Sequence, residues 1–173
     1  MSITTIAQRL AKLRASTAEE AGLITYPIGA LFYAFEAQCC NFTDRLGSSN
    51  RWHIELDGAL AAATNLAKGK RPSTTDWVSI AHFNSALMRI DFGFERLLKH
   101  ITGSKACDIA TLIPLAKKNR VPASALQHWE KVRRYEVNRL KHHNPGALTK
   151  DRLKFSDMVK ALEALVDLLE RQR

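Results

Sequence analysis

Cysteine is scarce in this 173-residue chain: Cys39 and Cys40 are adjacent and Cys107 stands alone. With no C-x-x-C pair and no second Cys/His pair at ligand spacing, a structural zinc site is excluded, and an odd, unspaced set of thiols makes no disulfide framework. The three read as small buried apolar residues that pack the core of a protein in a reducing compartment. Glycine and proline together number 13, too few for collagen or a low-complexity linker protein. No apolar run approaches the roughly 18 residues that cross a bilayer. Arg9, Lys12 and Arg14 interrupt the first 14 residues, where a secretion signal would carry an unbroken apolar core. No membrane partner and a cytoplasmic location are therefore expected. Sustained two-residue alternation is also missing, which removes the signature of a half-buried sheet. The Lys68-Gly69-Lys70-Arg71-Pro72 stretch lacks the glycines and Ser/Thr of a phosphate-binding loop. No cofactor and no metal ligand set is predicted.

What remains is helical. With 46% hydrophobic and 25% charged residues, the composition is that of one globular domain. Ile3, Ile6, Leu10 and Leu13 recur at three- and four-residue steps and predict a helix ending near Ala15, with Ser16 or Thr17 capping the next turn. A second helix is expected from Pro27, carrying Leu31, Phe32, Phe35, Cys39, Phe42 and Leu46. A third runs from Trp52 through Leu56, Leu60, Ala63 and Leu66. The best-defined stripe, Trp77, Ile80, Phe83, Leu87, Ile90, Phe94, Leu97 and Ile101, begins after cap candidates in Ser73-Thr74-Thr75-Asp76 and ends at Gly103. Ile109 to Ala116 reads as a short helix interrupted by Pro114 and leading into a basic connector. Two further helices are predicted, from Val121 to about His143 and from Leu148 to Gln172. The fold class is all-α: an antiparallel up-and-down bundle of about five to six helices in a single domain over 1–173, with 1–22 as N-terminal helix and connector and 23–173 as the bundle. Leu31, Phe35, Phe42, Ile80, Phe83, Leu87, Phe94, Trp129, Leu140, Leu162 and Leu165 are the expected core.

The formal charge is +9, and its distribution is uneven. Eleven Lys or Arg residues lie between Ala116 and Lys154 against Glu130, Glu136 and Asp151, which gives this stretch +8. Such a segment either presents a positive surface to phosphates or is a solvated face kept soluble by charge. On a helical wheel, Leu126, Trp129, Val137 and Leu140 share one side with Arg133 and Glu136, which stand three residues apart and can pair. Tyr135, Asn138, Arg139 and His142 cluster on the other side, with His143 at its margin. Histidine exchanges protons near neutrality and arginine holds phosphate, so this set suits activation of a ribose hydroxyl or protonation of a leaving oxygen. A basic helix end that simply complements the helix dipole is the alternative.

The stretch Trp129-Glu-Lys-Val-Arg-Arg-Tyr-Glu-Val-Asn138-Arg-Leu-Lys-His142-His143 resembles the signature helix of HEPN-like domains. The resemblance implies an all-α, often dimeric bundle whose active members cut RNA without metal. Their motif is an Arg, commonly a following polar residue, and a His four to six residues beyond the Arg. Asn138 and His142 match the polar residue and the His, while Val137 stands in the place of the Arg.

Three functions follow as expectations. The first is a non-catalytic helical module binding RNA or another polyanion through Lys117, Lys118, Arg120, Lys131, Arg134, Arg139, Lys141 and His143. The second is a metal-independent ribonuclease of a defence or toxin type. His142 would be its general acid or base, Asn138 would stand beside it, and Arg139 or Arg134 would replace the missing Arg. The third is an interaction or dimeric assembly module whose basic residues meet an antitoxin-like or acidic protein. The resemblance to HEPN-like domains implies a homodimer in which the two copies of the 121–143 helix face each other, and His142 is expected to border a concave basic surface.

Overall fold

A computed structural model describes residues 2–39, 51–70, 76–106, 108–136 and 153–172. Seven helices lie within them: α1 (Ile3–Leu10), α2 (Ala18–Cys39), α3 (Arg51–Ala67), α4 (Asp76–Thr102), α5 (Ile109–Lys118), α6 (Ala123–Glu136) and α7 (Phe155–Arg171). No strand occurs among the described residues. The all-helical class read from periodicity is therefore observed.

Local chemistry sets the boundaries. Ser2 caps α1, accepting from the Thr5 backbone N–H at 3.2 Å. Thr17 does the same for α2 by accepting from the Glu20 N–H at 3.1 Å, and Glu20 reaches back to the Ser16 N–H at 2.7 Å. One donor that the helix leaves open is thus satisfied by the cap, and the Glu20 carboxylate ties down the residue before it. This cap starts α2 at Ala18, so Pro27 sits inside the helix and not in its first turn as expected. Asp108 caps α5 through the Thr111 N–H at 2.7 Å, and this bond holds the Asp108 carboxyl below its usual range. Gly103, at φ +66°, ends α4 in the left-handed conformation that glycine adopts without a Cβ clash. Leu153 is buried just before α7 and is not part of it, because Asp157 accepts from the Lys154 N–H at 2.9 Å and starts the helix at Phe155.

The core is one continuous cluster around α4 and α7. Phe83, Leu87, Phe94, Trp129, Leu162 and Leu165 are fully buried in it, as expected, and Ile80 is fully buried outside that cluster. Phe94 stacks on Trp129 with centroids 6.2 Å apart, and Phe83 meets Tyr135 edge-on. Arg9 ties α1 to α7 by donating from Nε to Glu170 at 3.0 Å and from Nη2 to Asp167 at 2.5 Å. Phe42 and Leu140, also expected in the core, lie outside the described residues.

Packing around α2 departs from the expected pattern. The helix runs antiparallel to α4, with Glu19 beside His100, Gly29 beside Arg89, and Tyr33 beside His82. It buries Pro27, Ala30, Ala34 and Ala37, whereas Phe35 is 54% exposed, Phe32 is exposed, Leu31 is only half-buried and Cys39, expected in the core, is exposed on the same outward side. The physical reason is interaxial distance, which small contact side chains shorten. Gly93 of α4 shows how close the helices come: a Cβ there would lie 2.6 Å from Leu165 Cδ2 and 3.2 Å from Tyr26 Cβ. In α3, Ala62 is buried while Leu56, Leu60 and Leu66 face solvent.

Candidate functional site

The basic residues fall into two groups. Lys117 and Lys118 form the last turn of α5, and Arg120 follows two residues after it. The helix closes by two bonds, Arg120 N–H to Lys117 C=O and Val121 N–H to Ala116 C=O, both 3.0 Å. Buried Val121 packs beside buried Ala116 at this corner. This is the terminus for which glycine is the usual residue, because the position after the cap is left-handed. Arg120 occupies it at φ +60°. A non-glycine residue held there costs about 1 kcal/mol or more. Lys117, Lys118 and Arg120 are all exposed, and none has an acidic partner among the described residues.

The second group is on α6. Lys131 and Arg134 line a shallow surface concavity of about 190 Å³ with Gln127 and Glu130. Lys117, Lys118 and Arg120 line none of it. Lys131 pairs with Asp157 at 3.0 Å and Arg134 with Glu130 at 2.9 Å. Partial burial pushes the Asp157 carboxyl up, but the Lys154 N–H and Lys131 outweigh it and hold the group below its usual range. Exposed pairs of this kind contribute little to stability and open readily to a competing anion.

Asn138, Arg139, Lys141, His142 and His143 lie outside the described residues. Tyr135, expected on the polar side with them, is 2% exposed in the core against Phe83. The correction has a packing cause, since Tyr135 belongs with Ala125, Leu126, Trp129 and Val132 to the buried side of α6, which packs on α4 and α7.

The spacing of Arg133 and Glu136 predicts that they pair, and the Glu136 side chain lies outside the described residues. In the structure Arg133 has acidic partners on α4. It donates to Asp91 Oδ2 at 2.6 Å and to Glu95 Oε2 at 3.2 Å, while Trp129 Nε1 donates to Asp91 Oδ1 at 2.8 Å. Lys99 completes the chain by pairing with Glu95 at 2.8 Å. Asp91 is fully buried, so its charge is balanced by Arg133 and by the indole N–H. Sequence reading passed over Asp91, although a carboxylate four residues after Leu87 and three before Phe94 interrupts the apolar stripe of α4 and signals a buried partner.

A further cleft was not anticipated. The start of α2 and the end of α4 enclose about 560 Å³ lined by Glu19, Tyr26, Arg96, Lys99, His100 and Ser104, among others. His100 Nδ1 and Glu19 Oε1 are 2.8 Å apart, and Arg96 has no ion-pair partner among the described residues. A carboxylate-held imidazole beside a free guanidinium can bind a small anion. Among the described residues, no group of three His, Cys, Asp or Glu could hold a metal ion. No described helix is long and apolar enough to cross a membrane. The chain matches no family model, no curated protein and no solved structure.

Proposed function

We propose that the chain is a non-catalytic helical module that binds a polyanion, RNA foremost, through the end of α5 and the basic segment after it. The observation that carries this reading is Arg120. Lys117 and Lys118 are accounted for by the helix dipole, which favours cations in a last turn, but the dipole does not account for an arginine where glycine would cost less. Strain of this kind is kept where the side chain has a task, and an exposed guanidinium in a stretch of charge +8 has phosphate as its natural ligand. The reading takes the chain as an antiparallel bundle of HEPN-like type, supported by its helical content and by the resemblance of residues 129–143.

The test is a titration of labelled single-stranded RNA with the full chain at two salt concentrations. Affinity should fall as salt rises, with a log–log slope near 0.7 for each phosphate neutralised. Lys117→Glu with Lys118→Glu should weaken binding at least tenfold. Arg120→Gly should weaken binding while raising stability by about 1 kcal/mol. Salt-independent binding, or unchanged binding by all these variants, would refute the reading. Cleavage of the RNA in EDTA, lost in His142→Ala, would replace it with the ribonuclease alternative.

A further inference from the structure

Six consecutive heptad positions of α2 are exposed. Ala21, Thr25, Ile28, Phe32, Phe35 and Cys39 follow each other at steps of four, three, four, three and four, and each faces solvent. That is the spacing by which one helix offers a seam to another. Ile28, Phe32 and Phe35 are 48%, 58% and 54% exposed, and the face opposite them is the one that α2 buries with Ala30 and Ala37.

We propose that this seam pairs with the α2 seam of a second copy of the chain, antiparallel, around a two-fold axis near Ala30. Side-chain size and charge both select this partner and this direction. Antiparallel pairing sets Ala21 opposite Cys39, Thr25 opposite Phe35 and Ile28 opposite Phe32, so each large ring meets a smaller side chain. A parallel pair would instead stack Phe32 on Phe32 and Phe35 on Phe35.

Charge gives the second argument. The flank of the seam formed by Gly22, Gly29 and Glu36 also carries Arg89 of α4, whose Cδ and Nε lie 3.5 and 3.6 Å from where a Gly29 Cβ would be. Neither Arg89 nor Glu36 has a hydrogen-bond or ion-pair partner among the described residues. In an antiparallel pair this flank lies against the same flank of the other copy. Arg89 then faces Glu36 of the second copy across an axial offset of about five residues, or about 7.5 Å, which the two long side chains span together. The same pair forms twice about the axis. In a parallel pair the flank would meet Ile24, Leu31 and Gln38, which include no acid.

Sedimentation equilibrium of the full chain tests this independently of RNA binding. The expected mass is twice 19.4 kDa at micromolar concentration. Phe32→Glu should give a monomer with an unchanged helical spectrum. Arg89→Glu and Glu36→Arg should each raise the dimer dissociation constant at least tenfold, and the two together should restore it to within a few-fold of the parent. A monomeric parent at tens of micromolar would overturn the proposal, as would a dimer that survives Phe32→Glu. Failure of the double swap to recover association would overturn the antiparallel arrangement. A monomeric parent whose seam engages a different protein would move the seam to a heterologous partner and would likewise sink the second-copy proposal.

Discussion

Replacing Asp91 by alanine removes the acceptor for two donors at once. The Trp129 indole N–H, bonded at 2.8 Å, belongs to a residue with no exposure and no water to turn to. Leaving such a donor unpaired costs about 1–3 kcal/mol. Arg133 keeps Glu95 at 3.2 Å and its side chain is 16% exposed, so its loss falls below the 3–5 kcal/mol typical of a broken buried pair. The sum is about 3 kcal/mol, a large share of the stability of a domain this size. Asp91→Asn retains an acceptor for the indole and should cost less. Urea unfolding followed by far-ultraviolet circular dichroism measures these differences by linear extrapolation. Arg133→Met in the Asp91→Ala background should cost much less than Arg133→Met alone, because the charge it removes has already lost its main partner. A loss below about 1 kcal/mol in Asp91→Ala, or two substitutions whose effects add to within about 0.5 kcal/mol, would refute the assignment of Asp91 as the link between α4 and α6.

Two further outcomes are expected. Gly93→Ala places a methyl 2.6 Å from buried Leu165 and 3.2 Å from Tyr26, and should lower stability by about 1–3 kcal/mol through overpacking; an unchanged urea midpoint would show that α2 and α7 can recede. Hydrogen bonds from Arg9 hold the Glu170 carboxyl below its ordinary range, so this contribution is present above the unfolded carboxylate pKa and disappears as pH falls through the folded value. Arg9→Met should therefore cost up to about 1 kcal/mol at pH 7, and that cost should shrink as pH falls through the folded carboxylate value, as read from thermal midpoints along the acid titration.

Periodicity carried most of the helix assignments, and the reasons it failed are local. The stripe of α4 was legible because Ile80, Phe83, Leu87, Phe94 and Leu97 are both large and buried, so hydropathy and burial coincide. The start of α2 is hard to place from sequence because a proline at a helix-compatible spacing resembles a first turn, while the Thr17 cap ten residues earlier is legible only as a capping possibility. The burial of Tyr135 was missed because its hydroxyl made it look polar, although the ring packs on Phe83. Of the proposed binding residues, Lys117, Lys118 and Arg120 were legible from charge. The strain at Arg120 was not, since it depends on how α5 closes against Val121. The cleft holding Glu19 and His100 was invisible for a simpler reason: 81 positions separate the two residues, and only the antiparallel course of α2 and α4 brings them to 2.8 Å.

The most instructive departure is the reversal of α2. A helix with large apolar residues on one side and alanines on the other contributes most to folding by burying the large side, at about 1.5–3 kcal/mol for each fully buried Ile or Phe. This chain buries the alanines. Close contact with α4 and α7 at Gly93 recovers part of the difference through dense packing. Ile28, Phe32 and Phe35 remain about half exposed, which forgoes about 1 kcal/mol apiece on the same scale. Folding of the monomer alone has no use for that arrangement, because lysine or glutamate at those three positions would keep the helix and improve solubility. The identity of the outward residues is therefore set by something beyond the chain's own core. An apolar seam in heptad register, flanked by one cation and one anion that have no partner among the described residues, is the arrangement that the proposed pairing through α2 would use.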